Sequence, residues 1–178
     1  MLSVGDPVAM KELAQRADVS LATLYRYFPS KDHLLLAIVH SRYEQALARV
    51  QARGGTVRER VTSHLLREFR AEQREPRLTA ALARALTETS RSYSEMIERI
   101  EHVHLRVLAA AGAPLSDQQH RMLPIVRDLF GAATRRWLAG VSSPAQARFE
   151  IRAGCWLLDL PDETVAAELG AAASADPA

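Results

Sequence analysis

Between Met10 and Leu35 the chain reads MKELAQRADVSLATLYRYFPSKDHLL, two short helical stretches broken by a tight turn and closed by a proline. No other stretch limits the fold as much. Leu13, Ala14 and Ala17 fall on one face of a helix running from Met10 to Ala17. Asp18-Val19-Ser20 interrupts that pattern, and Ser20 is placed to N-cap a second helix of about two turns, Leu21 to Phe28. On this second helix Ala22, Leu24 and Phe28 are expected to face inward, leaving Leu21, Thr23, Tyr25, Arg26 and Tyr27 around the remaining surface. Pro29 then stops it. A pair of helices joined in this way has the form of a helix-turn-helix, whose second helix lies in the major groove of DNA.

The side chains divide by chemistry. Lys11 and Lys31 are placed to meet phosphates, as are the hydroxyls of Tyr25 and Tyr27, and such contacts fix register. Leu21, Ala22 and Thr23 stand at the start of the second helix, where a thymine methyl or a base edge is within reach, and Arg26 has the fork that suits guanine. Plainer roles exist for several of them. Lys31 and Asp32 can open the next helix, Arg26 can pair with a carboxylate, and Tyr25 can pack.

Val19-Ser20, the run Thr23-Leu24-Tyr25-Arg26-Tyr27-Phe28-Pro29-Ser30-Lys31, and Leu34-Leu35 together resemble the helix-turn-helix signature of the TetR family of bacterial transcriptional regulators. The resemblance covers roughly a fifth of the chain and is specific for a motif of its kind. It implies an all-α homodimer with an N-terminal DNA-binding domain and a larger C-terminal domain that binds a small effector and holds the dimer together. It also implies a double-stranded DNA operator as partner, with repression relieved when the effector binds.

The family places a further helix of some twenty residues ahead of this motif, and here only Met1 to Val8 precede it. The first helix is therefore expected to be missing. The readings are a start site assigned too late, a cut or degraded chain, and a genuinely short protein. Leu2, Val4 and Val8 can cover a little apolar surface, and Asp6-Pro7 suits a helix start. Without that helix, part of the Leu13, Leu24 and Leu34 core is expected to be exposed. At about 25 cal/mol per Å², a few hundred Å² amounts to several kcal/mol, so weak DNA binding is expected of the chain as it stands.

Composition narrows the remaining classes. A chain of 178 residues with 48% hydrophobic content can build one large or two small domains, and no run of about twenty apolar residues or secretory pattern interrupts it, so a cytoplasmic protein without a membrane span is expected. The single Cys155 excludes an internal disulfide and, beside Trp156 and Leu157, reads as a small core residue. A net charge of +2 leaves no broad phosphate-binding field, so DNA affinity must come from local residues and dimer symmetry.

Downstream, a connector helix is expected from Lys31 to Ala52 with Leu34, Leu35, Ile38, Tyr43, Leu47 and Val50 as its apolar positions, ending at Arg53-Gly54-Gly55. Further amphipathic helices are expected over Val57 to Gln73, Arg77 to Glu88 and Ser90 to Ala111. A longer helix capped by Ser116-Asp117 should reach about Val141, and a last strong one should run from Ala145 to Leu160. Residues 1–50 thus read as the DNA-binding domain with its connector, 56–160 as the ligand-binding and dimerisation domain, and 161–178 as a short helix to Ala172 and a frayed tail.

The two helices before Leu160 carry too many large apolar groups for a thin pair, and Phe149, Ala153 and Trp156 are the candidate dimer interface, where Trp156 can equally be core. Pro124 predicts a kink that curves the helix around the core or opens room for a ligand. Phe69, Tyr93, His104, Phe130 and Trp137 are the candidate pocket wall, although a lone histidine among Ile97, Ile100 and Leu108 is more often a core residue. No cofactor or metal is implied. Glu98 with His102 is a solvent-facing pair, and His102 and His104 point to two faces, so no catalytic constellation forms.

A second resemblance goes further. Leu24–Lys31 with His33-Leu34-Leu35, the segment Arg74–Leu86 and the Trp137–Gly140 helix end are similar to the actinobacterial branch of the family that represses sterol catabolism. It implies a steroid or acyl-CoA-like effector. The rival reading is a helical dimer that binds a small molecule or a protein without reading DNA, because its first helix is absent.

Overall fold

The computed structural model describes residues 9–87, 91–161 and 163. Among them are eight α-helices and one 3-10 helix and no strand, the all-α architecture expected from the periodicity. The helices are α1 (Met10–Arg16), α2 (Leu21–Tyr27), α3 (Lys31–Arg49), α4 (Val57–Glu72), α5 (Pro76–Leu86), α6 (Arg91–Gly112), α7 (Asp117–Leu138) and α8 (Pro144–Gly154), and the 3-10 helix spans Cys155–Asp159. The fold divides into two compact units. One takes the chain up to Arg49 together with Arg70–His104, and the other takes Val50–Phe69 together with the chain from Leu105 onward. The expected contributions of Leu2, Val4, Asp6-Pro7 and Val8, the ends placed at Glu88 and Ser90, and the short helix to Ala172 with its tail lie outside the described residues.

In the first unit α1 stops for a local reason. The Val19 N–H donates to the Ala14 carbonyl at 3.0 Å and the Asp18 N–H to that of Gln15 at 3.2 Å, with Asp18 in the left-handed region at φ +53°. This paired closure satisfies carbonyls that the helix end would otherwise leave bare. Ser20 then caps α2, its Oγ accepting from the Thr23 N–H at 3.0 Å. Met10, Ala14 and Leu24 form the small core between the two helices, with Leu13, Phe28 and Leu34 partly buried around it. Ala17 and Ala22 are exposed rather than inward, because Ala17 is already the C-cap residue and α2 turns only Leu24 fully into this core.

The connector α3 ends at Arg49, short of Ala52. Its buried positions are Leu35, Leu36 and Val39, packed with Ala81, Leu82 and Ala85 of α5 and Ile100 of α6. Leu36 and Val39 were not among the expected positions. Partners on two neighbouring helices widen the buried stripe beyond the single face that periodicity alone suggests. Asp32 pairs with Arg84 at 3.2 Å and Arg42 with Glu75 at 3.6 Å, both partly exposed and so worth little to stability.

In the second unit α4 opens with a reciprocal cap. The Thr56 N–H donates to Glu59 Oε2 at 2.8 Å, and the Glu59 N–H donates to Thr56 Oγ1 at 3.2 Å. The Arg60 guanidinium donates to the Gly112 carbonyl at 2.7 Å, placing a cation at the C-terminal end of α6 where the helix dipole favours it. Ser116 and Gln119 form the same kind of box at the start of α7, and Ser143 caps α8. The core unites Val61, Leu65, Leu66 and Phe69 of α4, Leu108 of α6, Met122, Leu123, Val126, Phe130 and Ala133 of α7, and Ile151 of α8.

Helix α7 runs unbroken through Pro124 and ends at Leu138, before Val141. The Val141 N–H reaches back to the Arg136 carbonyl at 2.9 Å around Gly140, whose φ of +72° suits glycine and ends the helix. The last helix also departs from expectation. It is α-helical only to Gly154 and then tightens to a 3-10 helix, in which residues three apart line up. That spacing puts Cys155 and Leu158 together in the core and turns Trp156 outward.

Candidate nucleic-acid interface and apolar face

The outer side of the helix-turn-helix is built by what Leu24 leaves over. Once Leu24 is buried, Leu21 (40% exposed), Tyr25 (45%) and Tyr27 (68%) stand outward, with Ala22 and Arg26 also exposed. The Arg26 guanidinium lies 5.3 Å from the centre of the Tyr27 ring, a stacking that keeps the cation on the surface. Lys11, in the first turn of α1, is exposed, and Lys31 is half-buried at the start of α3. Thr23 is half-buried and its hydroxyl is hydrogen-bonded to that of Ser20 at 2.8 Å, so its first role is to close the turn.

Three exposed neighbours were not among the expected site residues. Gln15 and Arg16 lie at the end of α1, and Val19 (39% exposed) sits in the turn. Only Val19 carried a signal, as an apolar residue between polar Asp18 and the capping Ser20.

The candidate pocket residues fall in two places. Phe69, Phe130 and Trp137 come together in the second unit, with the Phe69 and Trp137 rings edge-to-face at 5.2 Å. Tyr93 and His104 belong to the first unit. His104 is buried there and stacks flat on Tyr43 of α3 with ring centres 4.2 Å apart, in keeping with a packed core histidine. Tyr93 faces Ser30 and His33, its hydroxyl 3.0 Å from Ser30 Oγ.

The second unit leaves an apolar face uncovered. Phe149 and Trp156 are 64% and 59% exposed, Ala153 is exposed between them, and Ile125 (46%) and Leu129 (40%) are exposed on α7. Gly154 permits the close packing of α7 and α8, since a Cβ there would meet Leu129 at 3.1 Å. The Arg58 guanidinium lies 3.7 Å from the Trp156 ring centre and is bonded to Asp159, which holds the indole in place on the surface. Cys155 points the other way. Burial pushes its thiol above the usual value, as expected of a core cysteine.

Among the described residues no group of histidine, cysteine and carboxylate side chains is arranged to hold a metal ion, and no helix is long and apolar enough to cross a membrane.

Comparison with known proteins supplies the decisive observation. Residues 6–38 match the family described as bacterial regulatory proteins, tetR family, and residues 54–158 match the tetracyclin repressor-like C-terminal domain. The chain belongs to the TetR family of bacterial regulators. Among its TetR relatives is the HTH-type transcriptional repressor KstR of Mycolicibacterium smegmatis, 34% identical over 139 residues, which are 75% of this chain and 68% of that one. The repressor of the same name from Mycobacterium tuberculosis is also 34% identical, over 75% of this chain and 63% of that one. The chain therefore spans about two thirds of the length of these relatives. The HTH-type transcriptional regulator BetI of Rhizobium meliloti is 36% identical over 57% of this chain and 50% of its own. The crystal structure of a TetR transcriptional regulator from Rhodococcus sp. RHA1 superposes with a TM-score of 0.74 at 27% identity, covering 85% of this chain and 84% of that one.

Proposed function

We propose that this TetR-family protein is a cytoplasmic transcriptional repressor that binds an operator as a dimer and leaves it when a small, largely apolar effector binds. The observation that carries this is the outer face of α2, where Leu21, Ala22, Tyr25, Arg26 and Tyr27 are offered to a groove while Leu24 anchors the helix from behind. Leu21, Ala22 and Thr23 meet base edges, Arg26 reads guanine, and Lys11, Tyr25, Tyr27 and Lys31 hold phosphates.

In this reading residues 1–50 read DNA, and α5 with the first part of α6, which cluster with them, act as a brace. Residues 56–160 carry the effector site and the dimer contact. The exposed Phe149, Ala153 and Trp156, continued by Ile125 and Leu129, are the surface that a second copy covers, since exposed aromatic and aliphatic side chains gathered on one face mark an interaction site. Phe69, Phe130 and Trp137 wall the effector site in the same unit. The likeness to KstR repressors, together with the motifs of Leu24–Lys31 and Arg74–Leu86, favours an effector of steroid or acyl-CoA-like kind.

The test is a shift assay at fixed salt on fragments of the protein's own promoter region against unrelated DNA of equal length. Saturable retention of one promoter fragment supports the proposal. Equal, weak retention of all fragments, both by this chain and by a form extended upstream with the family's first helix, removes it and leaves a helical ligand-binding or protein-binding dimer.

A further inference from the structure

Ser30 stands at the junction between the recognition helix and the connector. Only Phe28 and Pro29 separate it from Tyr27, the last residue of α2. Proline fixes its own φ and restricts the residue before it, so this link is stiff and a shift at Ser30 is passed to α2 rather than absorbed. Ser30 is also the N-cap of α3, its Oγ accepting from the His33 N–H at 3.2 Å.

Two more partners reach the same oxygen. His33 Nδ1 lies 2.9 Å from Ser30 Oγ, and the Tyr93 hydroxyl, from the first turn of α6, lies 3.0 Å from it. The Tyr93 and His33 rings pack at 4.6 Å between centres, closing a triangle. A serine hydroxyl has one hydrogen and two lone pairs, so these three contacts saturate it. Asp32, in the same turn of α3, also pairs with Arg84, whose guanidinium is 61% exposed and screened by solvent. The Tyr93 contact is part-buried and links residues 63 positions apart, which makes it the firmer of the two.

We infer that Tyr93 is a positioning residue for DNA binding: its hydroxyl holds the α3 cap, and through the Phe28-Pro29 link it keeps the recognition helix in the orientation a groove requires. This rests on the DNA-reading proposal and adds a residue outside the helix-turn-helix to it. With the hydroxyl removed, DNA has to order what the protein no longer orders. A net hydrogen bond is worth about a fivefold change in an equilibrium, so Tyr93→Phe should weaken binding about fivefold per recognition helix, and about 25-fold where two engage one operator.

The experiment measures affinity of the full chain for its promoter fragment across a salt series, for the wild type, Tyr93→Phe, Ser30→Ala, Ser30→Thr and the Tyr93→Phe/Ser30→Ala pair. Each protein is first shown by its melting curve to be folded at the assay temperature. The expected result is weaker binding by Tyr93→Phe with an unchanged salt slope, because no phosphate contact is lost. Ser30→Thr, which keeps the hydroxyl, should restore affinity relative to Ser30→Ala, and the pair should bind no more weakly than Ser30→Ala alone. Wild-type affinity in Tyr93→Phe, or full additivity in the pair, overturns the inference while leaving the DNA reading intact. No specific binding by the wild type removes both.

Discussion

Replacing Phe149 by alanine should dissociate the proposed dimer without unfolding either copy. The magnitude follows from the exposed face. Phe149 is 64% exposed, Trp156 59%, Ile125 46% and Leu129 40%. Since an aromatic side chain offers 150–250 Å², these groups present about 400 Å² of apolar surface on each copy. Covering it on both copies contributes about 20 kcal/mol at 25 cal/mol per Å², from which association itself takes about 4–15 kcal/mol. The difference suits a stable dimer. Phe149→Ala withdraws about 100 Å², and symmetry counts the loss twice, so about 5 kcal/mol and more than three decades of dimer affinity should go. Sedimentation equilibrium from nanomolar to tens of micromolar protein measures this directly, with far-UV circular dichroism to show that helicity at 25 °C is kept. A variant that dimerises as tightly as the wild type would refute the assignment of this face. So would a wild-type protein that stays monomeric at tens of micromolar.

Ser20→Ala removes the oxygen that accepts the Thr23 N–H and should destabilise the first unit by about 1 kcal/mol, read as faster amide exchange at Thr23 and in the first turn of α2. Glu59 supplies a pH-dependent term. The Thr56 N–H bond holds its carboxyl below the ordinary value of 4.5, aided by its other contacts with Thr56 and by Arg58 and Arg60. A lowered folded-state value means that the stabilisation is complete above about pH 4.5 and is lost as the pH falls through the folded value. Glu59→Gln keeps the cap but cannot titrate, so the melting temperatures of wild type and variant should run parallel at neutral pH and converge in acid. A constant gap down to pH 3 would contradict this.

What the sequence made legible was local. Ser20, Pro29 and Ser116 carry their instruction in the residue itself, a hydroxyl that caps or a ring that stops, and the helices begin or end beside them. The recognition helix was readable because Leu24 and its exposed neighbours follow helical spacing. Other features depend on partners far along the chain. The burial of Leu36 and Val39 requires α5 and α6 to be present, and no period in α3 announces two partners. The 3-10 helix from Cys155 buries Cys155 and Leu158 in a core made largely by α4 and α7, far earlier in the chain, and leaves Trp156 outward. Tyr93 read as one of the candidate pocket-wall residues. Its hydroxyl meets Ser30, 63 residues earlier in the chain, a contact that no local pattern announces.

The central claim is that the outer face of α2 binds operator DNA. Its most direct test is titration of the promoter fragment with wild-type protein and with the Tyr25→Ala/Lys31→Ala variant, at one salt concentration and with the dimer constant of each protein measured alongside. The account predicts that specific binding is lost in the variant, by about two decades or more for two phosphate contacts removed on each of two half-sites, while dimerisation is unchanged. Retention of wild-type affinity by the variant would contradict it.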